Sequence, residues 1–204
     1  ERTIMAEIKA LANPADVIYL IHKALRTEAA SVEKLASQLD TGDSLQQFKL
    51  AFNSWATALF YHAEQEDMYM TAPLTRSFTS NGAVQGRDDE LGPEDLKLSS
   101  PGLSDEMKAN VVAEQEELHK SLIESIEDVL EVLSEDIGKT SLITRTKQHL
   151  YLQVVALRIE QEDQLETEEA LIMPMVPEQL TEQEQLDMAR AFLIDEQAQE
   201  PRWP

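Results

Sequence analysis

His62 and Glu66 stand four residues apart, continuing an apolar stripe formed by Phe52, Trp55 and Leu59. On a helix that spacing stacks an imidazole one turn below a carboxylate, so both can reach one small cation or bridge two. Burying a carboxylate costs roughly several kcal/mol unless it is paired or bound to metal. The competing reading turns the helix slightly and lets Glu66 meet solvent.

Three further segments place polar groups where apolar ones are expected. His22 lies one turn after Ile18 and three residues before Leu25. His119 follows Gln115 by four residues, and Gln115 follows Val111 by four. The stripe Leu150, Val154, Leu157 runs on into Gln161, Gln164, Leu165, Glu168 and Ile172. A lone inward histidine is commonly a satisfied core residue, and a run of acids is commonly a solvated face; only the phase singles out Gln164 and Glu168. Glu116 and His119 also form an Glu-x-x-His spacing, but ferritin-like di-iron bundles need it on two helices and it occurs once here. His149 lies too far along its helix to share a level with Glu168, at ~1.5 Å per residue, and reads as structural or surface.

The elements that must position these groups are helical. Asn13-Pro14 reads as a cap and first helical residue, opening a helix to about Gln38 with Val17, Ile21, Leu25, Val32 and Leu35 or Ala36 inward and Thr41-Gly42 as its stop. Asp43 with Gln46 resembles a capping box. It opens a second helix, with Leu45 and Phe48 starting its stripe, that Pro73 closes. Residues 76–104 carry Gly82, Gly86, Gly92, Pro93, Pro101 and Gly102 and read as a long polar connection with at most a turn of helix near Glu94–Leu98. Ser104 caps a third helix to about Ile137, with Met107, Val111, Leu118, Leu122, Ile126, Val129 and Leu133 inward. A fourth runs from about Thr140 or Ser141 to Ile172, ended by Pro174 and Pro177. Residues 3–11 suggest a short leading helix. Thr181 with Glu184 caps a last one, about 181–196, carrying Leu186, Met188, Ala189, Phe192 and Leu193.

The expected fold is therefore all-α: an up-down four-helix bundle with short extra terminal helices, one domain over 1–204 with its core at about 13–177. His22 is early in its helix, His62 and Glu66 late in the next, His119 early and Glu168 late. Alternating helix directions bring those levels to one end. That agreement is stronger than any single residue.

Composition narrows the function classes. Apolar residues make up 42% and aromatics 5%, with 6 glycines in 204 residues, which suits packed helices and not many short strands. With 39 acidic against 17 basic side chains the formal charge is -22, which argues against nucleic acid and anionic membrane surfaces as partners. Cysteine is absent, so disulfides, thiolate metal sites and thiol catalysis are excluded. No apolar run approaches the ~20 residues of a membrane span, and a cytoplasmic protein is the expectation.

The segment His62-x-x-x-Glu66-Asp67, running to Pro73-Leu74, resembles the His-x-x-x-Glu motif and following proline of the hemerythrin-like (HHE) cation-binding domains. Gln164-Leu165-Glu166-Thr167-Glu168-Glu169, running to Pro174, is similar to that family's His-plus-acidic run; the likeness spans about 16–177. It implies a non-haem iron site of two irons, with His22, His62 and His119 as terminal ligands and Glu66 and Glu168 as bridges, Glu169 being the fallback for the second bridge. Gln115 and Gln164 stand where the family offers histidines, as weak ligands or supporting groups. A single ion held by His22, His62 and Glu66, and a metal-free relic core, are the alternatives; Glu114, Glu116, Glu160 and Glu162 are candidate substitute ligands.

Fewer histidines leave coordination positions open, so the resemblance implies reaction with dioxygen or peroxide, in the manner of a di-iron oxidase or oxygenase, in place of oxygen carriage. Non-enzymatic binding or sensing of iron, oxygen or nitric oxide, and a metal-free helical interaction module, are the other readings. Tyr19, Tyr61 and Tyr69 are expected mainly to pack. Substrate and oligomeric state are not readable.

Overall fold

The computed structural model describes residues 13–40, 42–84, 104–135 and 144–193, and these are helical throughout, with no strand among them. Asn13 is extended, and its backbone N–H donates to the Asp16 carboxylate at 3.0 Å as Pro14–Asp16 form a tight 3-10 turn. Helix α1 follows, Val17–Ser37. Helix α2 is Gly42–Glu66, so Gly42 opens a helix and does not stop the previous one. Ser104 caps α4, Asp105–Glu135, its hydroxyl accepting from the Met107 N–H at 3.2 Å. Helix α5 is Thr144–Thr167.

Proline does not end α2. After Glu66 the chain makes one π turn, Asp67–Thr71, and continues as α3, Ala72–Val84. In a regular α-helix a proline removes one hydrogen bond and clashes with the carbonyl four residues back. Here the Ala72 N–H bonds to the Asp67 carbonyl, a five-residue register that precedes Pro73 and lets the helix run on. The expected loop from residue 76 is therefore helix to Val84; the remainder, 85–103, lies outside the described residues. So do the expected leading helix at 3–11, the end of α4 near Ile137 and the start of α5 near Thr140.

The same device recurs beyond α5. Glu168–Ile172 form a π turn, Met173–Met175 a 3-10 turn around Pro174, and Val176–Gln179 one further helical turn before the backbone straightens at Leu180. Helix α6, Glu182–Leu193, then starts on the expected capping box: Thr181 N–H and hydroxyl both donate to Glu184, at 2.8 and 2.7 Å, and the Glu184 N–H returns to the Thr181 hydroxyl at 3.3 Å.

The four long helices share one apolar core. Leu25, Ala29 and Val32 of α1 meet Phe48, Phe52, Trp55 and Leu59 of α2, Leu122, Ile126 and Val129 of α4, and Leu150, Val154 and Leu157 of α5. Ion pairs between α1 and α5 run in opposite chain directions, Arg26 with Glu162, Glu33 with Arg158, and Asp40 at the end of α1 with Lys147. A second apolar cluster (Ile18, Met70, Leu74, Val112, Ile172, Val176, Met188 and Phe192 among its members) closes the other end, with α6 packed into it. Polar residues lie between the two clusters.

Two stripes differ from expectation. On α4 the inward positions are Val112, Gln115, His119, Leu122, Ile126, Val129 and Leu133, while Met107 is exposed and Val111 and Leu118 are half-buried. On α6 the inward residues are Gln185, Met188 and Phe192; Leu186 and Leu193 are exposed. In both cases the polar residues hold the inward phase, so apolar identity alone pointed one position away.

Candidate metal centre

Between the two apolar clusters, His22 of α1, His62 and Glu66 of α2, His119 of α4 and Glu168 after α5 come together, all buried. Glu66 and Glu168 are 0% exposed, so each brings a carboxylate wholly out of water. One ligand atom each from His22, His62, Glu66 and Glu168 lies within 4.8 Å of the others, the spread that a single cation spans.

The carboxylates face two ways. Glu66 Oε1 lies 3.2 Å from His62 Nε2 and 3.7 Å from His22 Nε2, while its Oε2 lies 3.2 Å from His119 Nε2. Glu168 Oε2 lies 3.3 Å from His22 Nε2, while its Oε1 lies 3.6 Å from His119 Nε2. Each glutamate thus sends one oxygen to the His22–His62 side and the other to the His119 side. Despite these short separations, the Nε2 atoms of all three histidines, both oxygens of Glu66 and Oε2 of Glu168 are buried without an aligned hydrogen bond. Orphaned buried polar atoms are costly and rare, and here they converge on common points. Oxygen and imidazole nitrogen in this mixture suit iron, zinc or manganese.

A second layer holds the imidazoles. His22 Nδ1 is 2.9 Å from Glu169 Oε1, which also accepts from Arg26 at 2.7 Å. His119 Nδ1 is 2.8 Å from Asp67 Oδ1. A carboxylate on Nδ1 orients the ring and leaves Nε2 free to ligate, the usual support of a metal-bound histidine. Glu169, expected as a fallback bridge or a supporting group, sits behind His22. Asp67 and Arg26 were not expected in any role; their adjacency to Glu66 and His22 was the only signal, and what they touch is set across helices. The π turns lie at this layer: Glu66 just before the first and Glu168 at the start of the second point to the centre, and the acid after each reaches a histidine on a neighbouring helix.

Burial opposes charge on His22 and His119, but the facing carboxylates outweigh it, Glu168 and Glu66 at His22 and Asp67, Glu168 and Glu66 at His119. They push His22 up to about 10 and His119 to about 12. His62 is lowered instead, by burial first and by the two other histidines, against the pull of Glu66 and Glu168. Glu168 is held far below the usual carboxylate range: burial raises it, and His119 and His22 lower it more. The site demands positive charge.

Gln115 and Gln164 are buried beside the centre. Both polar atoms of Gln115 lack an aligned partner, whereas Gln164 Nε2 donates to Glu168 Oε1 at 2.8 Å. Gln161 lies deeper, accepting from Trp55 Nε1 at 2.7 Å. The candidate substitute acids stay outside: Glu114 and Glu116 are exposed, Glu160 accepts from Ser121 and Ser125, and Glu162 pairs with Arg26. His149 is exposed. Tyr19 is exposed at 40% and the Tyr61 hydroxyl donates to the Ala191 carbonyl at 2.8 Å; neither reaches the centre in these contacts. An apolar pocket of about 340 Å³, lined by Val17, Leu20, Ile21, Tyr61 and Phe192, reaches His62 from the side where α1, α2 and α6 meet.

No protein family, curated protein or solved structure matches this chain. What it does must be argued from the centre itself. Among the described residues no helix is long and apolar enough to cross a membrane.

Proposed function

We propose that the protein is a hemerythrin-like, up-down four-helix bundle that holds a non-haem iron centre and reacts with dioxygen or peroxide. The observation that carries this reading is the two-way placement of Glu66 and Glu168, each with one oxygen toward His22 and His62 and the other toward His119. That is the arrangement of two bridging carboxylates. A purely structural ion-pair core has no need of it, and it would align its hydrogen bonds; these atoms are left unaligned.

In this reading His22, His62 and His119 are the terminal ligands, and Glu66 and Glu168 are shared by two ions. Held by these residues, ferrous iron would be the electron source for reduction of dioxygen or a peroxide. The chain's own part is to hold the ligands before metal arrives, through Glu169 and Arg26 on His22 and Asp67 on His119. It also excludes water with the apolar clusters on either side. Binding displaces protons from the imidazoles, so uptake weakens as pH falls. The pocket at His62 offers an apolar approach suited to a small apolar molecule such as dioxygen. With three histidines in place of a fuller set, coordination positions remain for such a molecule, which favours reaction over carriage.

Anaerobic loading with Fe(II), removal of loose metal and elemental analysis test the claim. Iron should stay bound, and a pulse of oxygen should oxidise it in a single turnover. A protein that retains no iron under those conditions contradicts the proposal, and a stable, reversible oxygen adduct contradicts its reactive part.

A further inference from the structure

The two ends of the centre are built on one plan. On α2, His62 precedes Glu66 by four residues, and the next residue, Asp67, holds Nδ1 of His119. Beyond α5, Gln164 precedes Glu168 by four residues, and the next residue, Glu169, holds Nδ1 of His22. A π turn stands in both places, starting at Asp67 in the first and one position earlier, at Glu168, in the second. The plan differs at one ligand: an imidazole on the first side, an amide on the second.

That amide is already engaged. Gln164 Nε2 donates to Glu168 Oε1, the oxygen that faces His119, while Gln164 Oε1 is buried without a partner. An ion on the His119 side shares that oxygen with the Gln164 N–H, where the opposite side offers an imidazole nitrogen instead. Gln164 is also the inner wall of a pocket of about 460 Å³ between α4 and α5, bounded further by Leu118, Asp163, Glu160 and Thr167. Gln164 is itself only 4% exposed, so the amide that touches Glu168 also lines that hollow.

Resting on the two-ion reading above, we infer that the ion positions are unequal. The His22–His62 position, where ligand atoms of His22, His62, Glu66 and Glu168 already lie within 4.8 Å of one another, fills first. The His119 position binds more weakly, with Gln164 as the determinant of that weakness. A neutral amide is a poorer partner for iron than imidazole, and loss of a supporting group near a metal ligand alone changes affinity by about 10–100-fold.

The test is anaerobic Fe(II) titration against a competing chelator on wild type and on Gln164→His, His119→Ala and His62→Ala variants, with circular dichroism to confirm helicity. Wild type should bind in two steps at least about tenfold apart. Gln164→His should tighten the second step by about tenfold or more and leave the first unchanged. His119→Ala should remove only the second step, and His62→Ala should damage the first. Two equal steps in wild type overturn the inequality, and a second step that Gln164→His does not move overturns Gln164 as its determinant, while either leaves the two-ion centre standing. One ion in both wild type and Gln164→His overturns the inference and the two-ion reading together. Should Gln164→His misfold, the His119→Ala and His62→Ala pair still decides, since loss of the same step in both overturns the assignment of sides.

Discussion

Asp67→Asn isolates the outer layer of the centre without touching a ligand. Asp67 Oδ1 sits 2.8 Å from His119 Nδ1, and its side chain is 44% exposed. The substitution keeps the shape and an acceptor oxygen but removes the charge. Charge-assisted hydrogen bonds are about twice as strong as neutral ones, and carboxylates behind metal-bound histidines are worth about 10–100-fold in affinity. A loss of about 1.4–2.7 kcal/mol is therefore expected for the ion on the His119 side. In the metal-free protein the same bond is half solvated, so its loss should cost no more than about 1 kcal/mol. For a chain of this size 1 kcal/mol moves the melting temperature by about 2–4 °C. Metal-free Asp67→Asn should thus melt within a few degrees of wild type, while the extra stability given by Fe(II) shrinks clearly. Chelator competition should locate the loss in the weaker binding step. Glu116→Gln, at an exposed acid three residues before His119 on α4, is the control and should change neither. Unaltered Fe(II) affinity in Asp67→Asn, or equal losses in the control, would refute the claim that Asp67 supports a metal-bound histidine.

Three other substitutions probe separate parts of the structure. Glu66→Ala should abolish iron binding and also destabilise the metal-free fold by about 3–5 kcal/mol, because it removes a buried carboxylate that faces His22 and His119; iron content and thermal melts give the comparison. Trp55→Phe strands the buried Gln161 carbonyl oxygen and should cost about 1–3 kcal/mol in urea unfolding. A cost near zero would mean that Gln161 finds another partner. Thr181→Ala should lose the capping box, about 1 kcal/mol. Thr181 holds the Glu184 carboxyl below its ordinary value, so this contribution is complete above that value and fades as pH falls through the lowered one. The difference between Thr181→Ala and wild type should narrow in acid, and a difference that widens there contradicts the assignment.

Helical phase made the inward set readable: His22, His62, Glu66, Gln164 and Glu168 all interrupt apolar stripes at the spacing of the helix face. Gln115 and His119 were readable for the same reason, although the stripe drawn through Met107 and Val111 missed the true position of Val112. Proline misled twice. Its helix-ending rule assumes regular α geometry, and the π turns before Pro73 and Pro174 change that register. The roles of Asp67 and Arg26 were not legible, because they depend on distances between helices that lie far apart in sequence. The shared plan of the two half-sites was hidden for a related reason. It resides in a few positions set by π turns, and the residues between them differ.

The centre itself can be seen directly. Diffraction from crystals of anaerobically Fe(II)-loaded protein, recorded on both sides of the iron absorption edge, should show anomalous density between Glu66 and Glu168. The stronger peak should lie against His22 and His62, and the weaker against His119. Density confined to the acidic surface, or none at the five buried residues in protein that still carries iron, would contradict the account.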